Sequence, residues 1–291
     1  MNVTWSKYIQ GINTLYYSRR LRFSDCFARQ YIDFFAFDRE KKLRILEIGC
    51  GPGALSAALK RWYPNAEIVA VDRDAEFIRF ARSQETGVCF VEGDATNLPF
   101  ADDTFDVTIS NTVSEHVEPS KFFGEQLRVL KSGGACVVLS SCRGINRMPS
   151  CFETNPREIE FWEKANRYDN SHEKYSVCRY PMTEAELPAA MESYGFSSVS
   201  TGYATVDLTP DCPKYSSQTA FDMINANRYS ALDAVDTAAA NAPERFAEEE
   251  LGEIKRLTNE RFDARLRDYE KGIKHWDTSV LIIMMARGIK K

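Results

Sequence analysis

The sequence predicts an α/β fold, a doubly wound and mostly parallel sheet, on three observations. Short apolar runs alternate with amphipathic helical stretches over residues 41–141, the rhythm of a parallel sheet with helices on both faces. The first run opens directly into the glycine-rich stretch Gly49-Cys50-Gly51-Pro52-Gly53 and then into a helical pattern. Polar residues recur where successive runs end: Asp72, Asp94 and Asn111. At 291 residues, 44% hydrophobic and 27% charged, the chain is long enough for one large core with appended segments.

Residues 1–40 read as helical and aromatic, an N-terminal cap. Leu43–Ile48 is the first strand. Ala54–Trp62 is a helix with Leu55, Ala58, Leu59 and Trp62 on one face, stopped by Pro64-Asn65. Ile68–Val71 is the second strand. Ala75–Arg82 is a helix presenting Phe77, Ile78 and Ala81. Val88–Val91 and Phe105–Ser110 are the third and fourth strands, and Pro119–Leu130 is a helix ended by Gly133-Gly134. Ala135–Ser141 is the fifth strand. Residues 142–182 are aromatic with little periodicity. Thr183 and Glu186 form a capping box that opens a helix ending near Gly195. Phe196–Leu208 and Thr278–Ala286 complete seven strands. Between them, 213–275 reads as an inserted helical pair, acidic at Glu248–Glu250 and basic toward Lys274.

Composition narrows the function classes. A net charge of −5 disfavours a general affinity for nucleic acid. The longest uninterrupted apolar run, Val280–Ala286, is far short of the roughly 20 residues a membrane helix needs. Residues 1–10 lack the apolar centre of a secretory signal. The eight cysteines contain no C-x-x-C pair, so reduced thiols in a cytoplasmic protein with no metal site are expected.

The chemistry concentrates at the strand ends. Glycine lets the backbone turn tightly and lets a ligand approach without an intervening Cβ. Asp72, about 20 residues past the glycines, suits ribose hydroxyls. Asp94-Ala95 offers a carboxylate to an exocyclic amine, and Ser110-Asn111 follows the fourth strand. In LEIGCGPG (46–53), VAVDRD (69–74), GDATNLPFADDTFDVTISN (93–111) and RVLKSGG (128–134), the chain resembles the class I S-adenosylmethionine-dependent methyltransferases, most closely the small-molecule type similar to ubiquinone/menaquinone-biosynthesis enzymes. The resemblance covers roughly residues 43–141. It implies a Rossmann-like sheet, a cofactor-binding domain over 41–212 with 276–291, and a substrate-covering segment at 142–182. It also implies that Gly49, Cys50, Gly51 and Gly53 cradle the methionine part of S-adenosyl-L-methionine, supported by Glu47. Asp72 would bind the ribose and Arg73 flank the adenine. Asp94 and Ala95 would hold the adenine, and Asn111 would face the methionine.

Methyl transfer is an in-line attack on a sulfonium methyl, so the protein mainly positions the partners and excludes water. A small-molecule acceptor is expected. His116, shortly after the fourth strand, is the candidate general base, or else a histidine packed beside the pocket. Tyr16 and Arg20 are candidates to touch the cofactor's carboxylate, or belong to an amphipathic helix packed on the sheet. His172, the aromatic residues Phe152, Phe161, Trp162, Tyr168, Tyr175 and Tyr180, and Arg143, Arg147 and Arg179 are candidates to line an acceptor site. Cys142, Cys151, Cys178 and Cys212 raise a metalloid acceptor. The competing readings are a nicotinamide-dependent oxidoreductase, a macromolecular (protein or RNA) acceptor, and a cofactor-binding scaffold that takes a partner or forms a homodimer through 213–275.

Overall fold

A computed structural model describes residues 4–148, 152 and 155–291, and only the backbone of 142–147. Seven strands form one sheet: β1 (Arg44–Ile48), β2 (Glu67–Asp72), β3 (Cys89–Glu92), β4 (Phe105–Asn111), β5 (Leu130–Arg147), β6 (Phe196–Leu208) and β7 (Thr278–Lys290). Their order is β3-β2-β1-β4-β5-β7-β6. The strands β1 to β5 pair in parallel, whereas β7 lies antiparallel between β5 and β6. The chain order reverses at β1, between β2 and β4, which opens a crevice at the carboxyl ends of these strands.

Strands buried on both faces explain the unbroken apolar runs. Ile45 faces one core, with Leu55, Leu59 and Trp62 of α4 (Ala54–Trp62) and Tyr31 and Phe35 of α3 (Ala28–Phe35). Leu46 and Ile48 face the other, with Phe122 and Phe123 of α6 (Pro119–Val129) and Leu187 and Met191 of α9 (Glu186–Ser193). The capping box forms as expected. Thr183 N–H donates to Glu186 Oε2 at 2.8 Å, and Glu186 N–H to Thr183 Oγ1 at 3.3 Å.

Three local expectations are corrected. Gly133-Gly134 does not cap α6, because the chain is already extended at Leu130 (ψ 141°), which pairs with Phe105 in β4. The glycines sit instead at a register shift between β4 and β5, where Gly133 takes φ +78° and a Cβ on Gly134 would lie 2.8 Å from the Lys131 carbonyl. Strand β5 also runs on to Arg147 against β7, so 142–147 belongs to the sheet. Beyond it, α7 (Pro156–Tyr168) and α8 (Ser171–Lys174) occupy a stretch read as aperiodic. The side chains of Cys142, Arg143 and Arg147, and all of Cys151, lie outside the described residues.

The insertion is the expected helical pair, α10 (Ser217–Asn241) and α11 (Glu248–Glu270). Helix α10 packs against α2 (Ile12–Arg22) of the N-terminal cap. Asp233 of α10 accepts hydrogen bonds from Thr14 N–H (2.7 Å) and Thr14 Oγ1 (2.9 Å), supplying the acceptor that Gly11, the cap residue of α2, lacks. Among the described residues, no helix is long and apolar enough to cross a membrane.

Candidate functional site

The crevice at the switch point holds a cavity of about 740 Å³, within the usual size of a small-molecule site. Its floor is the turn after β1. Gly49 and Cys50 N–H groups both donate to the Val71 carbonyl, at 2.8 and 3.0 Å, which ties the turn to β2. Gly49 has φ +68°, and a Cβ there would lie 2.4 Å from Val113 Cγ2, so only glycine fits. Gly51 has φ +52°, yet a Cβ there would meet nothing within 4 Å. It therefore faces open space in the cavity. Gly51→Ala is expected to cost only about 1–2 kcal/mol of folding stability from the left-handed backbone. Any larger loss in ligand affinity, read by calorimetry beside urea unfolding, measures close ligand approach at this position.

Asp72 ends β2 and fixes two backbone segments at once. Its Oδ2 accepts from Gly51 N–H and its Oδ1 from Asp74 N–H, both at 2.8 Å. Burial raises its carboxyl pKa, with the two N–H donors opposing the rise. Asp94 Oδ1 accepts from the Thr96 N–H and hydroxyl at 2.8 Å each, which orients the carboxylate at the cavity edge. Asn111 lines the cavity at the end of β4. Thus Gly49, Cys50, Gly51, Asp72, Arg73, Asp94, Ala95 and Asn111 converge on one space.

Glu47 lies beneath the turn, 2% exposed, with its carboxylate accepting from the Ser56 hydroxyl. Burial pushes its pKa up to about 8; the Ser56 bond opposes this and the charge of Asp72 adds to it. A carboxyl raised on folding stabilises the protein while protonated and loses that contribution as pH rises through the folded pKa. The ligand-free protein is therefore expected to lose stability as pH rises from about 4.5 to about 8, with no further loss from this group above that. Glu47→Gln is expected to flatten that slope in urea titrations repeated across pH.

Gly53, Tyr16 and Arg20 lie elsewhere. Gly53 precedes α4 at φ +89°, and a Cβ there would press on Ala81 and Phe90 at 3.0 Å, so its role is packing. Tyr16 is buried edge-on against Phe80 with ring centroids 4.9 Å apart, and Arg20 lies over the Tyr16 ring at 5.5 Å. Leu15, Arg19 and Arg22 line the cavity instead. They share a helical face by the i, i+4, i+7 rule, one residue out of phase with the expected pair.

His116 borders the cavity but is poorly arranged as a base. Its Nδ1 accepts from the Cys178 N–H at 2.9 Å, so in the neutral ring Nε2 carries the proton. Burial, together with the nearby charges of Arg73 and His172, lowers its pKa to about 4 and keeps the ring neutral. With both nitrogens engaged in this way, His116 offers a hydrogen-bond donor to the cavity and no lone pair. Neighbouring Glu115 also lines the cavity, and its Oε1 is 4.0 Å from His116 Nε2. Burial raises its pKa, opposed in part by Arg19.

Trp5 and Asp74 belong to the site although no motif in the sequence gives either a role there. The Trp5 ring meets His116 edge-on at 4.7 Å and lies 5.8 Å from the Arg73 guanidinium carbon. Asp74 accepts the Ser6 N–H at 2.7 Å, tying α1 (Trp5–Tyr8) to the rim. Of the expected acceptor-site residues, His172, Arg179, Tyr180 and Cys178 do line the cavity. Phe161 packs against Phe246, Tyr175 stacks on Tyr8 and Phe152 meets Phe262 edge-on. Trp162 and Tyr168 border a second cavity of about 360 Å³ between α7, α10 and the start of α2. Cys212 borders neither cavity.

Residues 46–138 match the family model described as a methyltransferase domain. A demethylmenaquinone methyltransferase of Clavibacter sepedonicus is 46% identical over 99 residues, 33% of this chain and 40% of that protein. A malonyl-[acyl-carrier protein] O-methyltransferase of Herminiimonas arsenicoxydans is 41% identical over 110 residues, 37% of this chain and 41% of that protein. The chain thus spans about two fifths of the length of these curated relatives. The structure of phosphoethanolamine N-methyltransferase 2 of Haemonchus contortus, solved with S-adenosyl-L-methionine, superposes with a TM-score of 0.53 at 13% identity. That likeness covers all of this chain and 60% of the other, and it shows a shared fold.

Proposed function

From the methyltransferase domain carried by residues 46–138, we propose that this chain transfers a methyl group from S-adenosyl-L-methionine to a small-molecule acceptor by in-line attack. The observation that carries the reading is the convergence of Gly51 and Asp72. A glycine with open space where its Cβ would be sits hydrogen-bonded to a carboxylate at the end of the next strand. A nucleoside fits that pair: the bare backbone admits close approach and the carboxylate accepts from hydroxyls. Asp94 and Ala95 then take the base, Arg73 flanks it, and Gly49, Cys50 and Asn111 border the amino-acid end. Glu47 supports the turn from below.

When bound, the cofactor supplies an electrophilic methyl group. The chain's part is to hold the acceptor in line and keep water out. Trp5 and the 176–180 segment line the cavity from outside the sheet. A neutral His116 donates from Nε2, and Glu115 is the group placed to receive a proton released by the acceptor.

We further propose a division into an N-terminal cap (1–40), a cofactor-binding domain (41–212 with 276–291) and a buttress (213–275). The Asp233 bonds to α2 support the buttress role. A homodimer through 213–275 would instead appear as a doubled mass in light scattering. Cys26, Cys50, Cys89, Cys136, Cys178 and Cys212 are free thiols, which supports a cytoplasmic setting. The test of the acceptor class uses cofactor labelled in its methyl group, incubated with the protein and a cell extract. Label in the small-molecule fraction is expected, and label confined to protein or RNA would overturn the assignment.

A further inference from the structure

We propose that Arg19 and Arg22 form a clamp for a carboxylate carried by the methyl acceptor, so that the substrate is an anionic small molecule. This rests on the methyl-transfer reading, because the charge balance below counts a bound cofactor. The two residues are three apart on α2, which puts both guanidinium groups on one face, and both line the main cavity. Neither has a carboxylate within ion-pair distance among the described residues. Arg19 reaches only Ser18 Oγ (3.2 Å) and Thr112 Oγ1 (3.5 Å), and Arg22 Nε is buried with no hydrogen-bond partner. Both side chains are half-buried on the same helical face, and burial together with the charge of Arg22 lowers the Arg19 pKa. Such an arrangement is costly unless an anion completes it, and a planar guanidinium pair suits a carboxylate.

The surrounding charges specify the ligand. Of the other acidic groups at the cavity, Asp72 accepts from Gly51 and Asp74, Asp94 accepts from Thr96, and Glu47, held protonated by burial, is bonded to Ser56. Glu115 is the one acidic group that acts on Arg19, Lys121 is paired with Glu118 at 3.3 Å, and Arg73 and Arg179 add positive charge while His116 is neutral. Two arginines against Glu115 leave one net positive charge, which fits a monoanion better than a phosphate dianion. The cofactor's sulfonium and ammonium outnumber its single carboxylate, so its arrival adds to the positive charge. An anionic acceptor cancels it. The clamp also stands beside Thr112, one residue beyond Asn111 at the end of β4.

The experiment compares wild type with Arg22→Met and Arg19→Met. Calorimetry measures S-adenosylhomocysteine and 5′-methylthioadenosine, which lacks the amino-acid end. Thermal shift of protein saturated with S-adenosylhomocysteine then compares benzoate and octanoate with benzamide and octanamide. Wild type is expected to be stabilised by the carboxylates and not by the amides, and both variants to lose that difference. Affinity for S-adenosylhomocysteine should stay within about threefold, and the ligand-free melting temperature should hold or rise as the unpaired charge is removed. A tenfold or greater loss for S-adenosylhomocysteine alone would place the cofactor's own carboxylate in the clamp and overturn the proposal. So would equal responses to carboxylates and amides in wild type, or variants that melt lower without ligand. Wild type that binds no S-adenosylhomocysteine would overturn the methyl-transfer reading itself, a separate outcome.

Discussion

Asp72→Ala is expected to weaken S-adenosylhomocysteine binding by about 100-fold or more, the largest effect of any single side chain on the cofactor. One carboxylate there does three things. It accepts the Gly51 N–H, accepts the Asp74 N–H, and lines the cavity where a ligand would meet it. Each hydrogen bond to a charged group contributes about 1.5–3 kcal/mol, so loss of the ligand's own bonds reaches this magnitude without counting the loosened turn. Asp72→Asn should lose nearly as much. Its amide nitrogen can only donate, and it would face either Gly51 N–H or Asp74 N–H, both donors. Calorimetric titration of both variants checks this, with circular dichroism confirming that each is folded.

The second large effect concerns stability. Arg265→Ala is expected to destabilise the protein by about 3–5 kcal/mol in urea unfolding, because it strands two carboxylates that the fold has paired. Arg265 of α11 is fully buried and bonds to Asp277 at 2.7 and 3.1 Å and to Asp211 at 2.9 Å. Asp211 Oδ2 also accepts the His275 and Trp276 N–H groups at 2.9 Å each. This cluster fastens the insertion to the segments entering α10 and β7. Burial by itself would raise the Asp211 pKa, but the two N–H donors and Arg265 outweigh it and hold the carboxyl low. Its stabilisation is therefore present at neutral pH and lost on acidification through that lowered value. Arg265→Lys should not restore stability, since a single ammonium cannot reproduce the forked contacts. By contrast, the exposed Arg29–Asp33 pair can be broken at little cost.

Much of the sheet was legible from local pattern. Helix α4 occupies Ala54–Trp62, as read, because its amphipathic period is cut off by Pro64-Asn65, and β6 occupies Phe196–Leu208, as read, bounded by Gly195 and Pro210. The cavity floor was legible for a related reason: successive strands of a parallel sheet deliver their last residues to one edge, so Asp72, Asp94 and Asn111 meet without any knowledge of packing. Residues whose roles depend on rotation or on distant partners were not legible. Tyr16 and Arg20 differ from Leu15 and Arg19 only in helical phase, and the phase of α2 is set by its packing against α10, more than 200 residues away. The role of His116 turned on the backbone N–H of Cys178, 62 residues on, which fixes the tautomer. Arg265 reads as one of several basic residues late in a helix until the fold brings Asp211 and Asp277 beside it. Gly133-Gly134 misled because glycine marks both helix ends and strand irregularities, and tertiary pairing of Leu130 with Phe105 decided between them.

The most direct test of the account is a calorimetric titration of the whole protein with S-adenosylhomocysteine, run beside a titration with a nicotinamide dinucleotide. One site per chain with a dissociation constant in the micromolar range is expected for S-adenosylhomocysteine, and no heat for the dinucleotide. A folded protein that binds the dinucleotide, or that binds neither ligand, would contradict it.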